Sequence, residues 1–106
     1  MKSDGIDCLE VEFKDAALQR VESDINAQCG QGQVVTNDFR RRMQQIRAAA
    51  DERDFYAIKS LHFEKLQGKR DHQRSMRIND QWRLIVEIVG EAPKKKIRVI
   101  GIEDYH

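Results

Sequence analysis

An α+β fold is predicted for this chain, with an N-terminal strand and two or three helices packed on a small twisted antiparallel β-sheet. Two observations predict it. The spacing of apolar residues changes from helical to strictly alternating near residue 60. The segment Arg77-Ile78-Asn79-Asp80-Gln81-Trp82-Arg83 then reads as a hairpin between two of the alternating runs. The 106 residues make one domain, 1–106, long enough for a single core without metal or disulfide staples.

The elements follow in chain order. Leu9, Val11 and Phe13 alternate with Glu10 and Glu12, a short strand with one buried face. Asp15 can cap a helix in which Leu18, Val21 and Ile25 recur at helical spacing. Residues 29–35 hold two glycines among polar residues and read as a connection. Thr36-Asn37-Asp38 is a start signal for a second helix. Phe39, Met43, Ile46 and Ala50 line its apolar face, with Arg40, Arg41, Arg42 and Arg47 on the others. That arginine run reads as a solvated helix face, with nucleic-acid contact as the other reading. A short helical turn is expected over residues 54–58. Strands are expected over 63–66, 74–79, 82–89 and 97–102, with Gly90-Glu91-Ala92-Pro93 as a turn. Lys94-Lys95-Lys96 would charge the entry of the last strand, a common protection of a hairpin against edge pairing.

Asn79-Asp80 suits a tight turn because both side chains can bond their own backbone. Centring the hairpin on Asp80 sets Ile78 opposite Trp82 and Met76 opposite Leu84, an entirely apolar face. A one-residue slip would put Trp82 and Leu84 into water, so this register is strongly preferred. It also sets Arg77 directly opposite Arg83 on the other face, an unfavourable pairing of like charges. Two readings are open: an anion comes between the arginines, or both side chains diverge into solvent with their stems on the sheet.

Charged residues reach 35% but nearly cancel, for a net charge of +1. The balance is polarised along the chain. Residues 1–30 carry three bases against seven acids, and residues 60–106 carry ten bases against seven acids. A locally basic surface can hold polyanions even on a nearly neutral protein; a salt-bridged surface is the alternative. No apolar run suggests a signal peptide or a membrane span. Cys8 and Cys29 lie in no partner motif, so a cytosolic protein with reduced thiols is expected. His62, His72 and His106 have no Cys or His at ligand spacing, and neither a metal nor a cofactor is expected. Gly30-Gln31-Gly32 matches no phosphate loop, and there is no Gly-x-Ser-x-Gly elbow.

What remains are arginines, lysines, Glu64 and the segment Glu103-Asp104-Tyr105-His106. Tyr and His can exchange a proton with a reacting oxygen. An arginine fork suits a phosphate that gains charge in a transition state. These are parts for metal-free cleavage of RNA with the ribose 2′-hydroxyl as nucleophile.

Three spaced motifs make this specific. Phe63-Glu64-Lys65-Leu66-Gln67-Gly68-Lys69-Arg70, Ser75-Met76-Arg77-Ile78-Asn79-Asp80-Gln81-Trp82-Arg83 and Asp104-Tyr105-His106 resemble the HigB branch of the RelE/ParE toxin superfamily. The resemblance covers the C-terminal half well; the N-terminal helices match in arrangement, with Phe13-Lys14-Asp15 before Ala17-Leu18 as a looser echo. It implies the toxin of a bacterial type II toxin–antitoxin pair, a ribosome-dependent mRNA endoribonuclease that enters the ribosomal A site. A helix-turn-helix antitoxin of the HigA-like kind would neutralise it, and operator DNA would be met only through that complex. Carried onto this chain, the implied catalytic residues are Arg83 and Arg70 for the phosphate, Tyr105 and His106 for nucleotide orientation and proton transfer, and Glu64. RNA or ribosome contact would fall to Lys65, Lys69, Arg74 and Arg77. The chain departs from the family pattern at Gln67, which stands uncharged at the catalytic lysine position. The other functions this superfamily and that departure allow are a ParE-like gyrase-poisoning toxin without nuclease activity, and a catalytically weakened antitoxin-binding co-repressor.

Overall fold

A computed structural model describes residues 9–50, 52–91 and 95–104. Strand β1 (Glu10–Phe13) leads into helices α1 (Ala16–Ser23), α2 (Gln33–Ala48) and α3 (Arg53–Ala57). Strands β2 (Glu64–Lys65), β3 (Gln73–Arg77), β4 (Trp82–Val89) and β5 (Lys96–Asp104) follow. They form one sheet in the order β1-β5-β4-β3-β2. The predicted meander from β2 to β5 is antiparallel throughout. β1 returns beside β5 in parallel, a pairing the local sequence pattern leaves open. Cys8, the Ala92-Pro93 part of the predicted turn and Lys94 lie outside the described residues.

One face of the sheet is covered. Leu18 and Val21 of α1, Phe39, Met43 and Ile46 of α2 and Phe55 of α3 form a single core with Met76, Leu84, Val86, Ile97 and Val99 of the sheet and Ile78 of the turn after β3. The apolar face expected of the hairpin is the one that is buried, with Met76 opposite Leu84.

Asp15 caps α1 as predicted, its carboxylate accepting from the Ala17 N–H at 2.9 Å. Ile25, placed on that helix by spacing, is 83% exposed, because the helix ends at Ser23 and Asp24 forms its C-cap. The start of α2 also moves. Gly32, at a φ of 102° that disfavours any L side chain, precedes a first turn that carries Val35 into the core. Thr36 therefore lies inside the helix. Its buried hydroxyl donates to the Gly32 carbonyl at 2.7 Å and accepts from the Cys29 N–H at 3.0 Å, tying the preceding loop down. At the other end, α2 stops at Ala48 and Ala49 is the buried residue, so Ala50 is exposed rather than in the apolar stripe.

The arginine run is not a uniformly solvated face. Arg41 and Arg47 make surface pairs with Asp38 and Glu22. Arg40 instead folds over the end of α1 and donates to the carbonyls of Val21, Asp24 and Ala27 at 2.8–2.9 Å. The Val21 carbonyl is one that the end of α1 leaves without an intrahelical partner, those of Asp24 and Ala27 belong to the loop that follows, and a cation at this end is favoured by the helix dipole. Arg40→Ala is expected to lower stability by about 3 kcal/mol, since hydrogen bonds to a charged group contribute roughly 1.5–3 each and water recovers part of the loss. Urea unfolding followed by circular dichroism would measure it; a loss below about 0.5 kcal/mol would show that the three bonds are dispensable.

Candidate functional site

The open face of the sheet carries most of the candidate site residues, and strand alternation decides which side chains reach it. On its β1 side, Glu12, Arg98 and Glu87 form a cross-strand row, with Arg98 Nε 2.7 Å from Glu12 and Arg98 Nη1 3.4 Å from Glu87. The Arg98 hydrogen bond holds the Glu12 carboxyl below its usual range. Charge there is internally matched. Beyond that row the face hollows into a groove of about 300 Å³, lined by Glu64, Ser75, Arg70, Arg83 and Glu103 together with Leu66, Ile85 and Asp104.

Arg83 is positioned by the hairpin. Asn79 makes the turn, its side-chain oxygen accepting from the Gln81 N–H at 2.9 Å and the Trp82 N–H at 3.0 Å. Helix α2 steadies the same turn: Arg42 donates to the Ile78 carbonyl at 3.0 Å, and Asn79 donates to Asp38 at 3.4 Å. Burial pushes the Arg42 guanidinium below its ordinary pKa, with Asp38 opposing the shift. The resulting register places Arg77 opposite Arg83, as the sequence predicts.

The two arginines differ in setting. Arg83 is 7% exposed and its Nη2 donates to the His62 carbonyl at 2.6 Å and the Ser75 hydroxyl at 2.8 Å. His62 holds that carbonyl from a left-handed backbone conformation, φ 48°, rare for a residue with a side chain. Arg77 pairs with the Asp80 carboxylate within the turn. A smaller cleft of about 210 Å³, lined by His62, Arg77, Asn79, Asp80 and Arg83, adjoins this pair. Arg83 thus borders both hollows, and each of the facing arginines has acceptors of its own within the protein.

Three of the five residues expected to be catalytic, Glu64, Arg70 and Arg83, line one groove. Tyr105 and His106 lie outside the described residues. The expected RNA contacts divide. Arg77 shares the site face with Arg83, whereas Lys65 pairs opposite Arg74 in the register that sends both to the helix side. Lys69 is exposed in the turn Gly68–Arg70, where Gly68 takes a φ of 68°. Gln67 is exposed and lines neither hollow. Among the described residues no three His, Cys, Asp or Glu side chains group as metal ligands, and no helix is long and apolar enough to cross a membrane.

Sequence reasoning missed the contribution of β5. Ile85 pairs with Gly101 but Val86 pairs with Val99, so Ile100 is an extra residue on β5. This bulge reverses the alternation. Ile102 turns to the helix side and Glu103 lands opposite Arg83 on the site face. The signal was present: apolar positions run 97, 99, 100 and 102, breaking the alternation at the adjacent pair Val99-Ile100, and an isolated glycine follows at 101. Ser75, which orients Arg83, carries no such signal.

Comparison with known proteins places this architecture. The YoeB/ParE toxin from Agrobacterium tumefaciens superposes with a TM-score of 0.55 at 13% identity, over 92% of this chain and all of that one. The fold, three helices on a five-stranded mostly antiparallel sheet, is thus of the RelE/YoeB toxin type. A family model described as the RelE-like toxin of the type II toxin–antitoxin system HigB matches residues 11–99, and the chain belongs to this HigB-like family. No curated protein matches the sequence. As a type II toxin it has an antitoxin for a partner.

Proposed function

We propose that this toxin is a ribosome-dependent endoribonuclease that cuts mRNA in the A site, with the open-face groove as its active centre. The observation that carries the reading is the convergence of Glu64, Arg70 and a buried, preoriented Arg83 on one groove. In the proposed reaction the 2′-oxygen attacks phosphorus while the bond from phosphorus to the 5′-oxygen breaks, leaving a 2′,3′-cyclic phosphate and a free 5′-hydroxyl. Glu64 or His106 takes the proton from the 2′-hydroxyl, and the departing 5′-oxygen takes a proton from water. Arg83, its fork fixed before substrate arrives, stabilises the charge on the phosphorane, and Arg70 adds to it once it reaches the phosphate. Tyr105 positions the nucleotide. In sequence, Tyr105 and His106 directly follow Asp104, a lining residue of the groove. Arg77 and Lys69 steer the RNA, and Lys65 and Arg74 meet ribosomal RNA from the other side of the sheet edge. The antitoxin is of the helix-turn-helix, HigA-like kind, and operator DNA is met through the complex.

The uncharged Gln67 keeps gyrase poisoning without nuclease activity as the second reading. Primer extension on mRNA from expressing cells, set beside a supercoiling assay with purified gyrase, tests the two. Discrete new 5′ ends in translated message with gyrase unaffected are expected. Intact message and inhibited supercoiling would replace the nuclease by the gyrase poison.

A further inference from the structure

The carboxylate of Glu103 occupies the arginine that the proposed reaction needs. Arg70 Nη1 lies 3.0 Å from Glu103 Oε1 and Arg70 Nη2 lies 2.7 Å from Oε2, two parallel charge-assisted bonds. The remaining edge is also engaged, Arg70 Nε donating to Gln73 Oε1 at 2.9 Å. The Glu103 bonds raise the pKa of Arg70 further. A carboxylate in this fork presents two oxygens in the geometry in which a phosphate presents two of its own. Both side chains are 46% exposed, and an ion pair so open to water is easily exchanged. Glu103 reaches this face only because of the bulge at Ile100.

We propose that Glu103 is an internal stand-in for substrate phosphate, a gate that holds Arg70 in reserve at the groove until an RNA phosphate displaces the carboxylate. The proposal rests on the reading of the groove as a phosphate site, and it makes Glu103 a regulating and positioning residue. The empty groove is kept electrostatically quiet, with Glu103 beside Arg83 and against Arg70, which disfavours stray polyanions. A single-stranded RNA that supplies several phosphates at once can outcompete one tethered carboxylate.

A purely structural pin and a gate predict opposite signs. The test is binding of an all-2′-O-methyl RNA oligonucleotide, which has no attacking hydroxyl, to the full chain by fluorescence anisotropy across a salt series. Glu103→Gln is expected to bind three- to tenfold tighter than the parent. Its log K against log salt should steepen by about 0.7, the value for one more phosphate neutralised on a single strand. Glu87→Gln, which removes the same charge from the same face but from Arg98 rather than Arg70, should stay within twofold. Equal or weaker binding by Glu103→Gln, an equal gain in Glu87→Gln, or no binding by any of the three proteins would overturn the gate. A gain in Glu103→Gln without mRNA cleavage in cells would leave the gate standing and remove the nuclease.

Discussion

Arg83→Ala is expected to abolish growth inhibition in bacteria, with in vitro cleavage of ribosome-bound mRNA reduced about 10²–10³-fold, the usual loss when one preorganised donor to a developing charge is removed. Arg83 is the residue common to the groove and the adjoining cleft, so no neighbour can take its place without moving. Its orientation is fixed in advance by the His62 carbonyl and the Ser75 hydroxyl, and none of that ordering is needed at the moment of reaction. The same bonds mean that the alanine variant loses stability as well. Leaving the buried Ser75 hydroxyl without this donor should cost about 1–3 kcal/mol, with water able to replace the guanidinium at the part-buried His62 carbonyl. The cost is partly offset because Arg77 no longer faces a like charge. Arg83→Lys separates the two effects. It retains the charge and can still reach one acceptor, but an ammonium offers no planar fork. The lysine variant should melt near the parent temperature and yet lose most of its activity. A folded Arg83→Ala protein that still stops growth would remove Arg83 from the mechanism.

That residue was legible in the sequence, and the reason is physical. A hairpin with one apolar face has a register fixed by burial, and Asn79 can close the turn by itself, so the placement of Arg77 opposite Arg83 needed no tertiary knowledge. What burial does to Arg83 was not legible, because its acceptors come from Ser75 on the next strand and from His62 across a turn. The same limit applies to the arginine run of α2. Helical spacing assigns Arg40 and Arg42 to a polar face, but a long side chain can turn back over the protein to carbonyls 13 to 36 residues away. Ends of elements were least well read. Ile25 and Ala50 continue their helical patterns in sequence, yet the caps at Asp24 and Ala49 stop the helices first. The bulge at Ile100 has the largest functional consequence of these. It decides which face Glu103 occupies, and so whether Arg70 meets a carboxylate or open solvent.

Removing Tyr105 and His106 is expected to abolish growth inhibition while leaving the fold intact. The described core reaches Ile102 and β5 pairs to β4 as far as Asp104 opposite Trp82. Loss of two residues beyond that point should cost less than about 0.5 kcal/mol, as for changes away from packed or capped positions. For a domain of this size that is a melting shift of at most roughly 2–4 °C. Losing a positioned proton-transfer group should by contrast lower cleavage about 10²–10⁴-fold. The ratio of the two effects is the informative quantity, because a terminus that merely completed the sheet would lower stability and activity together. Co-expression with the cognate antitoxin then separates the remaining readings. A truncated protein that is inert, stable and still captured by its antitoxin places the two residues in catalysis. One that is inert and no longer captured places them at the antitoxin interface. One that still arrests growth with an unchanged melting curve would move the proton chemistry to Glu64, the remaining group in the groove proposed for it.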